Sequence, residues 1–271
     1  MKIIRKAFVV FLLLPLMAMA QDSEIELFSI PLSNPGSPGK LTVEQLNGSI
    51  DVVAYEGSEV VVKATFGNRK AHYKEKNKDK AGLRRIDHSS LDISGEEKNN
   101  EVRIINEQWN KVTNLEIKVP KNFSLKLGTV NQGNILVKGV SGEMEISNVN
   151  GEITCEEVGG SVSADTVNGD IKVSFTSITQ GANMAFSSLN GDLDIVFPNS
   201  LKANVKAKSD MGEIYTDFDM AIDKQEPNVE KSTSSGVYKV KVEQWVKGTI
   251  NGGGPEMLFK SFNGDIMIKS K

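Results

Sequence analysis

The chain has 271 residues, 32 basic and 35 acidic, for a net charge of −3. That balance lacks the basic footprint nucleic acid requires, which excludes a nucleic-acid partner. A single cysteine, Cys155, excludes an internal disulfide, so the core and backbone ladders must hold the fold.

Residues 1–20 read as a signal peptide. Lys2, Arg5 and Lys6 form a basic start, "AFVVFLLLPLMAMA" is an apolar core, and Ala18-Met19-Ala20 fits an A-x-A cleavage site. The apolar run of about 14 residues is short for a bilayer span. No second long apolar stretch follows, so no transmembrane segment is expected after cleavage. The three leader cations are then lost, which leaves a net charge near −6. An exported chain beginning at Gln21 is expected, with residues 21–271 forming one elongated domain.

The first repeat-like stretch is "QLNGSIDVVAYEGSEVVVKA", with Gly48 and Gly57 nine residues apart. Residues 67–100 interrupt it with a charged insertion that holds Arg69, Lys70, Lys74, Arg84 and Arg85. This basic run is a candidate interaction segment for an anionic head group or acidic glycan. "LDISGEEKNNEVRIINE" at its end reads as a hairpin around Glu-Lys-Asn-Asn.

A nine-residue beat then begins. Glycines fall at 133, 142, 151, 160 and 169. The second residue after each is Ile135, Met144, Ile153, Val162 or Ile171, and the fourth is Val137, Ile146, Cys155, Ala164 or Val173. Val140, Val149, Val158 and Val167 occupy the seventh place. Alternation with a period of two predicts short strands with one buried face, each closed by a glycine bend. Later copies of the bend are Asn190-Gly191, Met211-Gly212 and Asn263-Gly264.

Tight hairpins would pair Val149 with Glu152, Val167 with Asp170 and Val140 with Glu143, setting an inward valine against a solvated carboxylate each time. The better solution is an all-β, β-solenoid-like stack of coils. Each coil has about 18 residues, two strands and two glycine corners. On this reading Asn150-Gly151, Asn168-Gly169, Asn190-Gly191 and Asn263-Gly264 mark one corner on successive coils, where Asn side chains can hydrogen-bond as a ladder. The strand Asp265 to Ile268 is expected to end the stack. Lys269 and Lys271 would guard its edge, and a monomer is expected.

Several ordered stretches carry a resemblance. They are "IPLSNPGSPGKLTVEQLNGSIDV", "LEIKVPKNFSLKLGTVNQGNI", the "NGDI" corners, "GEIYTDFD" and "GTINGGGPEMLFKSFNGDIMIK". Over about residues 27–271 the chain resembles an exported, Bacteroidetes-type β-strand-repeat family of unknown function, labelled "putative adhesin". The resemblance implies an all-β repeat fold and brings no catalytic or ligand residues with it.

Candidate chemistry is sparse. The residues after the corner glycines are Asn134, Glu152, Asp170, Asp192, Glu213 and Asp265. Stacked at about 4.8 Å, such carboxylates repel unless solvated or bridged. Glu152, Asp170 and Asp192 are therefore the candidate ligands of a Ca²⁺ ion. The chain nevertheless lacks the G-G-x-G-x-D pattern of Ca²⁺-binding nonapeptide coils. A catalytic carboxylate pair would break a repeat, and these acids follow it. Cys155 shares its place with inward apolar residues and reads as core. His72 and His88 form no zinc pattern. "GTINGGGP" lacks the lysine and helix of a phosphate loop.

The expected function is that of an exported, cofactor-free, non-catalytic binding surface or scaffold, periplasmic or at the cell surface. Its expected partner is an envelope or surface glycan or protein. The alternatives are a carbohydrate-active enzyme on a β-helix and a Ca²⁺-stabilised binding module.

Overall fold

A computed structural model describes residues 24–67, 93–108, 111–223, 228–234, 237–243 and 245–271. The leader and the insertion residues Arg69, Lys70, Lys74, Arg84 and Arg85 lie outside the described residues.

Every regular element described is a strand. The chain runs through β1 (Glu24–Pro31), β2 (Gly39–Asn47), β3 (Ile50–Tyr55) and β4 (Glu59–Phe66). β5 (Ile93–Lys98) and β6 (Glu101–Asn106) form an antiparallel hairpin. Its turn residues Asn99 and Asn100 have φ of 55° and 63°, the left-handed pair that a two-residue hairpin favours. β7 (Thr113–Pro120) precedes the regular region. That region comprises β8 (Phe123–Asn131), β9 (Ile135–Lys138), β10 (Ser141–Asn148), β11 (Ile153–Asn168), β12 (Ile171–Phe175), β13 (Met184–Asn190), β14 (Leu193–Phe197), β15 (Ala203–Ser209) and β16 (Ile214–Thr216). β17 (Met220–Ile222), β18 (Asn228–Ser234), β19 (Val237–Glu243) and β20 (Val246–Ile250) follow, and β21 (Glu256–Asn263) and β22 (Ile266–Ser270) close the chain.

Pairing sorts these strands into two faces, apart from β18 and β19, which form a separate antiparallel pair. Sheet A runs β1-β4-β7-β3-β9-β11-β12-β14-β22-β16. Sheet B runs β5-β6-β2-β8-β10-β11-β13-β21-β15-β20-β17. β11 belongs to both. Its pairing register shifts between Cys155 and Val158, where Glu157 takes a φ of 52° and the strand passes from one face to the other. All pairings from β3 to β16 in sheet A, and from β6 to β15 in sheet B, are parallel.

The period of two explains the burial. β8 buries Phe123, Leu125 and Leu127 and turns Ser124 and Lys126 outward; β12 buries Ile171, Val173 and Phe175. The inward residues of both sheets form one core. At its C-terminal end Phe175 stacks on Phe197 at 5.1 Å and Phe186 on Phe259 at 5.4 Å. Partners share a layer through register: Ile135, Ile153 and Ile171 lie side by side, each 18 residues from the next.

Four expectations need correction. Val140 and Val158 are buried, but Val149 is only half-buried and Val167 is 38% exposed, because they precede the Asn-Gly corner on the outer side of sheet B. Chain order is not stacking order: β21 and β22 lie between β13 and β15 and between β14 and β16, so the last coil is inserted in the pile. The final strand therefore has neighbours on both sides. Lys269 guards no edge and pairs with Asp194 at 2.8 Å. Gly57 lies at a chain reversal, since β3 runs parallel to β7 and β4 antiparallel to it.

Candidate functional site

The corner joining sheet B to sheet A repeats from β2–β3 to β15–β16 and carries three hydrogen-bonded columns. The first is the asparagine column. Asn150 donates to Asn131 Oδ1 at 3.0 Å, Asn168 to Asn150 Oδ1 at 2.8 Å, and Asn190 to Asn168 Oδ1 at 2.9 Å. Asn47 and Asn263 lie in register with the two ends of this row. The structure thus brings together the corner asparagines singled out in the sequence.

The glycines beside them permit the close approach. A Cβ on Gly151 would lie 2.2 Å from the Gly133 carbonyl oxygen, one on Gly169 2.2 Å from that of Gly151, and one on Gly264 2.1 Å from that of Gly191. Gly191 is similarly confined by the Gly169 carbonyl, at 2.0 Å. Backbone N–H groups complete the contact: Gly169 donates to Asn190 O and Gly191 to Asn263 O, both at 2.9 Å.

The second column is the acidic one. Its spatial order is Asn134, Glu152, Asp170, Asp192, Asp265, Glu213. Four links run from a backbone N–H to the side chain of the spatially preceding coil: Glu152 N to Asn134 Oδ1 (3.0 Å), Asp192 N to Asp170 Oδ1 (3.0 Å), Asp265 N to Asp192 Oδ1 (2.8 Å) and Glu213 N to Asp265 Oδ1 (2.9 Å). Lys172 lies 3.4 Å from Asp170 and 3.8 Å from Glu152 and offsets their charge. Among the described residues no group of three or more potential metal ligands converges. Two of the three Ca²⁺ candidates, Asp170 and Asp192, accept a backbone N–H from the next coil, and Glu152 faces Lys172.

The third column was missed in the sequence. Thr129 donates to Gly48 O at 2.9 Å, Asn148 to Gly133 O at 3.1 Å, Thr166 to Gly151 O at 3.1 Å, Ser188 to Gly169 O at 3.0 Å, Ser261 to Gly191 O at 3.1 Å and Ser209 to Gly264 O at 2.8 Å. All but Ser209 are buried. Each satisfies a corner carbonyl that would otherwise be stranded beside the core. The signal was present as a Ser, Thr or Asn two residues before the corner asparagines from Asn131 onward, as in "TVN", "NVN" and "SLN".

Cys155 is buried, and burial pushes its thiol up to about 12. The thiolate that nucleophilic or redox chemistry requires is thus suppressed.

The outer faces remain. On sheet A, Leu27, Val53, Val61 and Leu136 surround Asp51, Lys63 and Glu116 in an open groove of about 330 Å³. Lys63 pairs with Glu116 at 2.7 Å. Burial first, and Glu116 second, raise the Asp51 carboxyl above the ordinary carboxylate range. On sheet B the residues before the corner asparagines form an outward column, with Leu46, Val167, Leu189 and Phe262 38–51% exposed. No helix among the described residues is long and apolar enough to cross a membrane.

No curated protein matches the chain. Among solved structures, a "putative cell adhesion protein" from Clostridium sporogenes is similar at 13% identity and a TM-score of 0.45, over 92% of this chain and 100% of that one. A "putative adhesin" from Bacteroides fragilis gives 12% and 0.38, over 92% and 97%. A "putative lipid binding protein" from Parabacteroides distasonis gives 10% and 0.30, over 93% and 98%. Residues 129–251 match the model of the family described as Toastrack DUF4097. They hold most of the regular corners, and this likeness is in keeping with the chain's resemblance to an adhesin-type β-repeat family of unknown function.

Proposed function

We propose that this chain is an exported, non-catalytic scaffold of the cell envelope that presents its outer sheet faces to a glycan or protein partner. Its frame is a pile of two-strand coils of about 18 residues, turned at two kinds of glycine corner. The observation that carries the reading is the use made of the acidic column. Asp170, Asp192 and Asp265 each hold the backbone N–H of a neighbouring coil. A carboxylate held in that way supports the stack. An acid–base pair for sugar cleavage would instead present both groups to a substrate across a cleft.

Two measurements test it. Protease shaving of intact cells bearing a tagged copy separates a surface location, where the chain is clipped while a periplasmic control survives, from a periplasmic one. Incubation with polysaccharide oligomers tests the absence of catalysis. The expected result is no new reducing ends. Turnover that disappears in Asp170→Asn or Asp192→Asn would overturn the proposal in favour of a carbohydrate-active enzyme.

A further inference from the structure

The outer face of sheet B has an order that the scaffold role does not require. Register places its outward residues in columns running across the strands. One column reads Lys206, Leu258, Ala185, Ser163, Glu145 along β15, β21, β13, β11 and β10. The next reads Lys208, Lys260, Ser187, Asp165, Ser147 on the same strands. The corner column beside them contains Phe262, Leu189 and Val167.

The first two columns are antisymmetric in charge about β13, and Lys208 is already paired with Asp210 at 3.1 Å. Lysines lie on the β15–β21 side and carboxylates on the β10–β11 side, while β13 itself presents the small Ala185 and Ser187. We propose that two copies of this chain pair face to face through the outer side of sheet B, about a twofold axis parallel to β13.

Such an axis keeps each column over itself and reverses the strand order. Lys260 then lies over the second copy's Asp165, and Lys206 over its Glu145. In the apolar column Leu189 meets its own copy and Phe262 meets Val167. Every charge contact occurs twice, as an isologous interface demands. The free chain has groups that such pairing would satisfy. Phe262 and Leu189 are each 47% exposed above a shallow notch of about 300 Å³. Asp165 and Lys260 make no ion pair with each other or with a neighbour among the described residues. Glu145 already has Lys126 at 2.9 Å, and Lys206 rests on the Trp245 ring at 4.5 Å, so their cross-copy pair adds to existing contacts. An anionic glycan suits this face less well, because Glu145 and Asp165 would repel it along half the length.

The face is modest. Four inter-strand steps of about 4.8 Å and a width of about 20 Å give on the order of 400 Å² per copy, about half the ~800 Å² per partner of a standard stable interface. A reversible, concentration-dependent dimer is therefore expected.

Sedimentation velocity of the exported chain, from low micromolar to several hundred micromolar, tests this. The expected result is a monomer–dimer equilibrium. Leu189→Asp should abolish it. Lys260→Asp alone or Asp165→Lys alone should weaken it at least tenfold, and the double swap Lys260→Asp/Asp165→Lys should restore it. Restoration also shows that both substitutions are compatible with folding. A monomer at every concentration overturns the proposal, whether or not an acidic oligosaccharide binds the face. A dimer indifferent to Leu189→Asp and to both charge reversals overturns it as well.

Discussion

Asn168 holds the coils on both sides of its own: its Nδ2 donates to Asn150 Oδ1 at 2.8 Å, and its Oδ1 accepts from Asn190 Nδ2 at 2.9 Å. A carboxamide donates and accepts at once along a column of identical side chains, whereas a carboxylate can only accept. Asn168→Ala removes both bonds and should cost about 1–2 kcal/mol, at ~0.5–1.5 kcal/mol for each hydrogen bond. Asn168→Asp should cost at least as much, because an acceptor then faces Asn150 Oδ1 and a charge joins the Asp170 corner. Urea unfolding midpoints decide the matter. An Asn168→Asp protein as stable as the parent would mean that the column contributes nothing.

The acidic column carries its own control. Asn134 occupies the same place as the acids and accepts the Glu152 N–H at 3.0 Å without any charge. An amide oxygen is therefore enough for that bond. Asp192→Asn should leave stability within about 0.5 kcal/mol of the parent, the usual range for a surface change that removes no specific feature. Asp192→Ala should be less stable by ~1 kcal/mol through loss of the Asp265 N–H bond. A melting temperature indifferent to a chelator is expected with both. A chelator-dependent fall in the parent that Asp192→Asn abolishes would return the column to Ca²⁺ binding.

Much of this architecture was legible because one spacing recurs. The glycines at 133, 142, 151, 160 and 169 mark the 18-residue offset at which Ile135, Ile153 and Ile171 pair, and Asn150 and Asn168 mark the corner where Asn side chains bond. What was not legible follows from physics that the spacing does not carry. Nothing local marks β21 and β22 as inserted between earlier coils, since Asn263-Gly264 stacks equally well on any corner of its kind. Val149 and Val167 have the composition of core residues, but the position just before an Asn-Gly corner faces out whatever occupies it. The inner column was overlooked because Thr129, Thr166 and Ser188 read as polar strand residues. Their buried role appears only once the carbonyl each one satisfies is in place.

The glycines differ in how far they are replaceable. A Cβ on Gly191 would lie 2.0 Å from the Gly169 carbonyl oxygen and 2.5 Å from its carbon, both backbone atoms that cannot move without opening the stack. Gly191→Ala should cost on the order of 3 kcal/mol or more, at the upper end of overpacking. Gly181, at a φ of +80°, has nothing among the described residues within 4 Å of such a Cβ. Gly181→Ala meets only the left-handed backbone penalty of roughly 1–2 kcal/mol. Equal losses in the two variants would mean that close approach is not what fixes the corner glycine.

Cys155 gives a direct probe of the core. With its thiol pushed up to about 12 by burial, only about one molecule in ten thousand carries the thiolate at pH 8. Alkylation by a maleimide at pH 8 should be negligible in the native chain and complete within minutes in denaturant. Rapid native labelling would show that the layer of Cys155, Val137 and Val173 opens readily.

Asp51 should weaken the fold at neutral pH. Burial, and then the Glu116 charge, raise its carboxyl, so the folded chain binds that proton more tightly than the unfolded one. The ionised form is thus disfavoured in the fold. The penalty is fully present above the folded pKa, and it disappears as the pH falls through that value to the ordinary one near ~3.9. Asp51→Asn removes the ionisation and keeps the shape. It should raise the urea midpoint at pH 7, and the gain should shrink to nothing by about pH 3. Lys63 and Lys118 also line this groove. If they stabilise the Asp51 charge more than burial opposes it, the substitution lowers the midpoint at pH 7 and the sign assigned here is wrong.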